Sequence, residues 1–342
     1  MLGNLRTYLL QILSNTHFIL IFQLSYGQDY LESATATGSG TTSGIGWSNV
    51  TSTTIDVTNV SKVLVTASMN MRSDGANTNT REANYRIYRE LAAADNSGII
   101  KREIYSNSET GVETWGIGTL VHIFDTSSLT GNVTYTIEHS NQTAANNRNV
   151  YSSINLTALA LTTKTNGNEL SSDVKRIGTG VSIPTSYQTV TGLITNAITL
   201  PIEGDIYVAA SINSTANYAW FTGDRVAEYK LQYSTNNGVT WSDLGKPVRR
   251  SLYVSSFWVS GFNDSGIVSL VGLLPNQNAG STYKFQVLHK IEGGFVEEFK
   301  TENSNLVAVA LAHDDGNFPS FYSEVGSPGV SITNTGAITP IT

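Results

Sequence analysis

The sequence predicts an all-β protein made of two tandem antiparallel β-sandwich domains of jelly-roll-like form. Three observations carry that expectation. Apolar and polar residues alternate at every position in Tyr135-Thr136-Ile137-Glu138-His139 and in Tyr283-Lys284-Phe285-Gln286-Val287, the period of a strand with one buried face. Helical periodicity is nearly absent: the one stretch of helix-forming composition, 89–94, is short and ends in the turn cluster Asp95-Asn96-Ser97-Gly98. The apolar blocks also occur twice in one order, and a length of 342 residues suits two domains, each able to bury its own core.

From the N-terminus, residues 1–27 read as an export signal. Arg6 is the only charge before Asp29, Phe18-Ile19-Leu20-Ile21-Phe22 forms a compact apolar block, and Ser25-Tyr26-Gly27 places small residues at −3 and −1 of a cleavage site before Gln28. The polar run Ser14-Asn15-Thr16-His17 interrupts the block and leaves it too short for a spanning helix. No later run reaches about twenty apolar residues, so no membrane span is expected in the mature chain. The chain has no cysteine, which excludes disulfides, thiolate catalysis and zinc–sulfur sites. Export without cysteine points to an extracellular or cell-surface protein of bacterial type. With 20 Lys and Arg against 27 Asp and Glu, the net charge is −7, and it becomes −8 once Arg6 is removed. That balance lacks the basic footprint nucleic acid requires.

The first copy is expected over 28–163 and the second over 174–316, followed by a C-terminal tail over 317–342. Lys62-Val63-Leu64-Val65-Thr66-Ala67-Ser68-Met69-Asn70 matches Asp205-Ile206-Tyr207-Val208-Ala209-Ala210-Ser211-Ile212-Asn213 at an offset of 143. Tyr85-Arg86-Ile87-Tyr88 matches Tyr229-Lys230-Leu231-Gln232 at 144, and Asn155-Leu156-Thr157-Ala158-Leu159-Ala160-Leu161 matches Asn305-Leu306-Val307-Ala308-Val309-Ala310-Leu311 at 150. Drift of this kind belongs in loops, because one extra residue in a strand turns its apolar face outward. The segment 251–265 is the expected place for the extra residues, and the Thr/Asn/Gly/Ser-rich stretch 162–173 is the expected join. The blocks 63–67, 206–210 and 306–311 are apolar on both faces, so they should be central strands, covered on each side or packed at an interface. Between strands, Ser73-Asp74-Gly75, Asn236-Asn237-Gly238 and Asp264-Ser265-Gly266 supply turn signals.

Eight to ten strands per copy exceed a minimal immunoglobulin domain and suit a jelly roll. The order of Pro201-Ile202-Glu203-Gly204, an apolar strand, a Tyr-led strand, Gly280-Ser281-Thr282-Tyr283-Lys284-Phe285 and a terminal apolar strand resembles the tumour-necrosis-factor and complement-head superfamily. The first copy departs from it, with Asn59-Val60-Ser61-Lys62 in place of the Pro-Ile-Glu-Gly turn. The resemblance implies a homo-oligomer, a trimer, that binds partners without catalysis.

Chemistry has little motif support. His139 and His289 occupy one place in the two copies near a strand end, and an inherited structural histidine is a simpler account than a ligand site used twice. No His-x-His, His-Glu-x-x-His or Gly-x-Ser-x-Gly element is present. Glu82, Glu90, Asp224 and Glu228 lie beside Arg81, Arg86, Arg89 and Arg225, a pattern of surface ion pairs more than of a two-carboxylate glycosidase. Asp314 and Asp315 offer oxygens to a calcium ion but lack a spaced Asp-x-Asp-x-Asp-Gly loop, so a turn is the better reading and no cofactor is expected. Aromatic side chains near loops of the second copy, Trp220, Phe221, Tyr253 and Trp258, are the candidate ligand-binding residues, because flat rings stack on the C–H faces of sugars. The expectation is therefore a secreted structural or adhesive module that binds itself or a surface glycan or protein. The rival is an extracellular glycan-binding or glycan-cleaving protein, a lyase or hydrolase.

Overall fold

The computed structural model describes residues 33–42, 45–58, 60–73, 81–90, 95–104, 114–141, 150–161, 171–216, 223–254, 264–292 and 299–312. The expected leader, most of the join and the C-terminal tail lie outside them. Eighteen strands form among the described residues. The first eight are β1 Ser33–Thr42, β2 Ser48–Asp56, β3 Lys62–Ser73, β4 Arg81–Arg89, β5 Ile100–Ile104, β6 Thr114–Asp125, β7 Asn132–Asn141 and β8 Val150–Ala160. The rest are β9 Ser172–Ile177, β10 Val181–Ser182, β11 Gln188–Ile194, β12 Ile198–Thr199, β13 Gly204–Ala216, β14 Gly223–Ser234, β15 Ser242–Val254, β16 Asp264–Gln277, β17 Thr282–Glu292 and β18 Phe299–Ala312. No helix among the described residues is long and apolar enough to cross a membrane.

The strands pair, all antiparallel, into four sheets. In the first sandwich the order β1-β8-β3-β6 lies against β2-β7-β4-β5. In the second, β10-β18-β13-β16, with β9 also on β18, lies against β11-β17-β14-β15, with β12 also on β17. The same order therefore appears twice, and it is the strand order of a jelly roll. Alternation decides which residues face inward: on β7, Val133, Tyr135, Ile137 and His139 are buried between the sheets, while Thr134 and Glu138 point to the outward face and are half-buried.

The central strands are buried on both faces, as their composition demands. On β18, Leu306, Ala308 and Ala310 belong to the core of the second sandwich, whereas Val307, Val309 and Leu311 join the core cluster of the first. Tyr207, Ala209 and Ile267 do likewise on β13 and β16. Strands β5 and β6 of the first sandwich thus close on the outward face of β13-β16-β18 in an apolar seam. At its middle, Thr119 Oγ1 and Ser269 Oγ are 2.5 Å apart, and these two residues occupy corresponding positions in the repeat. Matched residues meet at this point, although the two copies bring different strands to the seam, β5 and β6 from the first and β13, β16 and β18 from the second. The symmetry is inexact: Asn305 is buried and donates from Nδ2 to the carbonyls of Ser97 at 2.9 Å and Val121 at 3.1 Å, while its counterpart Asn155 is exposed.

The registers also relocate the extra residues of the second copy. Tyr88 and Gln232 are 144 apart, but their partners Asn96 and Asp243 are 147 apart, so the first gain falls in the hairpin 235–241. Ile100 and Val248 are 148 apart, and a bulge between Tyr229 and Leu231 absorbs that step. Only the remainder falls beyond β15, in 255–263, whereas the sequence had suggested 251–265 for all of it. A bulge can carry a residue that a regular strand cannot, since it lets two residues oppose one and restores the alternation beyond it.

Candidate functional site

Each sandwich presents an outward face on its second sheet, and both faces carry a half-buried aromatic residue one position before the strand that opens that sheet. In the first copy it is Trp47. The Arg86 guanidinium lies 4.2 Å from its ring centroid and 5.5 Å from that of Tyr88, and Arg86 Nε donates to Glu138 Oε2 at 2.6 Å. Arg86 is thus held between two flat rings and fixed by a carboxylate, a rigid platform of alternating apolar and polar surface. Nearby on the same face, Asn84 Nδ2 donates to Ser140 Oγ at 3.5 Å, and Asn84 Oδ1 and Thr136 Oγ1 have no partner.

In the second copy the equivalent aromatic is Tyr187, and here the polar groups satisfy one another. Its hydroxyl donates to Glu228, while Lys230 Nζ and Lys290 Nζ stand 4.4 and 4.6 Å from its ring centroid. Glu228 Oε2 also accepts from Arg249 Nε at 2.6 Å, and Lys290 lies 3.3 Å from Oε1. Burial alone pushes the Glu228 carboxyl up, but the hydrogen bonds and charges of Arg249 and Lys290 outweigh it and hold the group below its ordinary value. The chain of bonds continues from Thr189 through Gln286 and Gln232 to Asp243, which Lys230 also contacts at 2.8 Å. Glu228, weighed from the sequence as a carboxylate candidate, is therefore an ion-pair residue.

The paired histidines sit inside the cores. His139 Nδ1 is 2.9 Å from Ser152 Oγ, which donates to the Tyr85 hydroxyl at 3.1 Å. His289 Nδ1 is 2.8 Å from Thr301 Oγ1, itself 3.1 Å from the Tyr229 hydroxyl, which donates to Ser214 Oγ at 2.8 Å. Ser152 and Thr301 hold the same register place, opposite Met71 and Ser214. Burial lowers both imidazoles to about 4 and raises the Tyr229 hydroxyl to about 12. Both histidines are sealed from solvent, so neither hydroxyl is presented to a substrate. The structural reading of the pair stands.

A third polar cluster belongs to the first copy alone. Around Phe124, at the corner where β4 and β6 meet the start of the second sandwich, lie His122 at 4.7 Å and Tyr135 at 5.1 Å between ring centroids, and the Arg89 guanidinium at 5.6 Å. Arg89 contacts the Asp95 carboxylate and donates to the Asp125 carbonyl at 2.5 Å. Arg89 also hydrogen-bonds the Tyr135 hydroxyl, and His122 Nδ1 is buried without a hydrogen-bond partner. Burial, then the charges of Arg176 and Arg89, lower His122 to about 4.

Of the residues singled out from sequence, Trp220, Phe221, Trp258, Asp314 and Asp315 lie outside the described residues, as does His313. Tyr253 falls on β15, opposite Asp224 on β14. The strands bounding 217–222 and 255–263 end together, since Gly223 pairs with Val254 and Ala216 with Asp264, so both aromatic segments leave from one end of the second sandwich. Sequence reasoning passed over Trp47, Tyr88 and Tyr187. The signal available for Trp47 and Tyr187 was their shared place just ahead of a strand that pairs with the histidine-bearing strand, Ser48 opposite His139 and Gln188 opposite His289. Among the described residues no group of three or more His, Asp or Glu could hold a metal ion.

No protein-family model matches the chain, and no curated protein matches it by sequence. Among solved structures it is similar to PNGase F, described as a glycosylasparaginase from Flavobacterium meningosepticum, at 16% identity and a TM-score of 0.35, covering 85% of this chain and 95% of that one. It is also similar to the CBM22-1-CBM22-2 tandem domain of Paenibacillus barcinonensis Xyn10C, at 9% identity and a TM-score of 0.20, covering 84% and 96%. A third is infectious bursal disease virus, Gx strain, at 8% identity and a TM-score of 0.27, covering 86% and 76%. Likenesses of this size carry no argument about activity. The sandwiches rest on their own strand pairings, and of the superfamily resemblance only the two-sheet, jelly-roll-like form is supported.

Proposed function

We propose that this protein is an extracellular glycan-binding protein that engages a neutral sugar chain on the outward face of its first sandwich. The observation that carries this is the Trp47-Arg86-Tyr88 platform with its Glu138 brace. Such a surface offers flat apolar rings for the C–H faces of a sugar and fixed donors and acceptors for its hydroxyls. Arg86 is already paired with Glu138, so its charge is not free to favour an acidic sugar. The expected leader over 1–27 supports export. Trp220, Phe221, Tyr253 and Trp258 extend the proposal to a second contact at one end of the second sandwich.

The adhesive or structural reading, with the trimer that the superfamily resemblance implies, has a narrower basis. The apolar outward faces that another chain could have used are spent on the seam between the copies. Large apolar side chains that remain exposed among the described residues, Ile45, Ile194, Val239, Val248 and Val271, are spread over turns and three different strands rather than gathered into a patch.

A glycan array on the mature chain, followed by calorimetric titration of the best neutral oligosaccharide, tests the proposal. Trp47→Ala and Tyr88→Ala should each weaken binding by about tenfold, the loss of one stacking contact. Tyr187→Ala should leave it unchanged. Absence of binding to any glycan, or binding indifferent to both first-copy substitutions, overturns it.

A further inference from the structure

We propose that the open edge of the first sandwich, strand β1, docks a second copy of this chain, which adds its own β1 antiparallel about a two-fold axis at Thr37. β1 ends the order β1-β8-β3-β6, and among the described residues no strand pairs with its other side. On alternate residues its backbone amides and carbonyls are therefore turned to an open edge. The strand runs ten residues, Ser-Ala-Thr-Ala-Thr-Gly-Ser-Gly-Thr-Thr, with no charge and no proline. Its register on β8 is unbroken from Ser33 opposite Leu159 to Thr42 opposite Val150. It is also held in place: a Cβ on Gly38 would lie 2.6 Å from Thr51 Cβ and 2.7 Å from the Val50 carbonyl oxygen, so β1 sits close over β2.

The second copy blocks the same edge. There β18 carries two short pieces, β9 and β10, with Gly178-Thr179-Gly180 between them. In the first copy Ala34 faces Ala158 and Ala36 faces Leu156; at the matching places Asp173 faces Ala308 and Lys175 faces Leu306. Leu306 and Ala308 belong to the core of the second sandwich, so Asp173 and Lys175, 3.3 Å apart, are charges on the inward side of an edge. Thr37 faces Asn155 where Arg176 faces Asn305, and Arg176 Nη1 is tied to the Asn96 carbonyl at 3.3 Å. Short, interrupted edge strands and inward charges are devices by which sheets avoid pairing with other chains, and β1 has neither.

The edge is complementary to itself. Two identical antiparallel strands are related by an axis perpendicular to their sheet, so each residue meets one of the same face. Thr42 is buried, which leaves Ser33 to Thr41 for pairing and centres the axis on Thr37. On the exposed face Ser33 then stands opposite Thr41 of the other chain, Thr35 opposite Ser39 and Thr37 opposite itself, hydroxyl against hydroxyl throughout. On the inward face Ala34 meets Gly40 and Ala36 meets Gly38, small against small. The far edge of the sheet, β6, is taken up by the seam, where its Val121 carbonyl accepts from Asn305 Nδ2 at 3.1 Å, so pairing stops at two chains. The same axis turns both Trp47-bearing faces to one side, a bivalent arrangement for a surface glycan. That consequence rests on the glycan reading above; the pairing does not.

Sedimentation equilibrium of the mature chain, without any glycan, tests the pairing. A monomer–dimer equilibrium is expected, with a dissociation constant on the order of 10 μM for an edge-to-edge contact. Thr35→Lys with Ser39→Lys sets lysine against lysine twice across the axis and should weaken the dimer by about tenfold or more. Thr35→Lys with Ser39→Glu sets lysine against glutamate twice and should dimerise at least as well as wild type. Thr35 and Ser39 are exposed, so both double variants should keep the wild-type urea midpoint. A readout that needs no variant is amide exchange in wild type, which should slow on alternate residues of β1 as protein concentration rises. A monomer at every concentration, the result for an edge covered by another segment of its own chain or kept for a different protein, overturns the proposal. So do equal affinities in the two double variants, or β1 exchange that ignores concentration.

Discussion

The two sandwiches share a buried network and differ where polar groups reach an edge. His139 with Ser152 and Tyr85, and His289 with Thr301 and Tyr229, repeat one arrangement of ring, hydroxyl and phenol inside the core. On the outward sheet the copies diverge: Glu228 gathers Tyr187, Arg249 and Lys290 into a closed network, while Asn84 holds its place in the first copy and Trp47, Arg86 and Tyr88 remain an open platform. Packing between sheets constrains both copies alike. The difference teaches that recognition should be sought in what one copy has and its partner lacks.

Acid gives the largest effect: the paired histidines should contribute equally in the two copies, and His122, lowered to about 4 as well, should add to the loss in the first. The imidazoles of His139 and His289 fall from an ordinary 6.5 to about 4 because burial disfavours the charged form. A depressed folded-state value means that the unfolded chain binds the proton first, so stability is full above about pH 6.5 and drains away as pH falls to about 4. Each histidine should cost about 3 kcal/mol over that window, about 6 kcal/mol together. Urea midpoints at a series of pH values in wild type, His139→Gln and His289→Gln measure it. If one variant removes nearly all of the acid sensitivity, the equivalence of the two networks is broken.

The seam comes next. Val309→Asp places an unpaired charge among residues of the first copy's core cluster and should cost about 4 kcal/mol. Because Val309 belongs to a strand of the second sandwich and packs on the first, calorimetry should show one unfolding transition in wild type and two in the variant. Two transitions already present in wild type would mean that the seam does not couple the copies.

Much of this frame was legible in the sequence. Strands apolar on both faces, 63–67, 206–210 and 306–311, announced central positions, and for 206–210 and 306–311 the structure places a sandwich core on one side and the seam on the other. Repeat offsets of 143 to 150 were readable too, but their placement was not: the bulge opposite Tyr229 lets a strand absorb an insertion that the alternation rule forbids. The platform was illegible because its members come from three separated strands or turns, Trp47, Arg86 and Tyr88, and Glu138, brought side by side only by the β2-β7-β4 order. Searching for aromatic-rich runs favours 218–221 and 253–258 and passes over a lone Trp47. The corner was hidden for a similar reason, since nothing in a single chain reveals that Arg89, His122 and Tyr135 surround one phenylalanine.

A smaller effect separates the outward faces. Glu228→Gln removes the buried carboxylate shared by Arg249 and Lys290, and should cost about 2 kcal/mol near neutral pH. Glu138→Gln in the first copy breaks a single ion pair, with no second cation on the carboxylate among the described residues, and should cost about 1 kcal/mol. Chemical denaturation of the two variants ranks them. Equal losses would show that the closed network of the second copy is no tighter than the open platform of the first.

The smallest effect tests the corner around Phe124 against its counterpart, where Gly272 stands opposite Val208 as His122 stands opposite Val65. Gly272 is in extended backbone, so the obstacle to a side chain there is space: an added Cβ would lie 2.6 and 2.7 Å from Leu244 Cγ and Cδ2. Gly272→Ala should therefore cost about 1 kcal/mol through overpacking. Leu244→Ala alone should cost about 2 kcal/mol, the lower end for a core truncation, because Leu244 lies near the sheet edge and keeps some exposure. If the two side chains compete for one space, the double variant should cost less than the sum of the singles by about 1 kcal/mol, a coupling that a double-mutant cycle reads directly. Additive losses would mean that Leu244 does not fill the space His122 occupies in the first copy. The contrast between a dry corner and a polar one would then lose its structural basis.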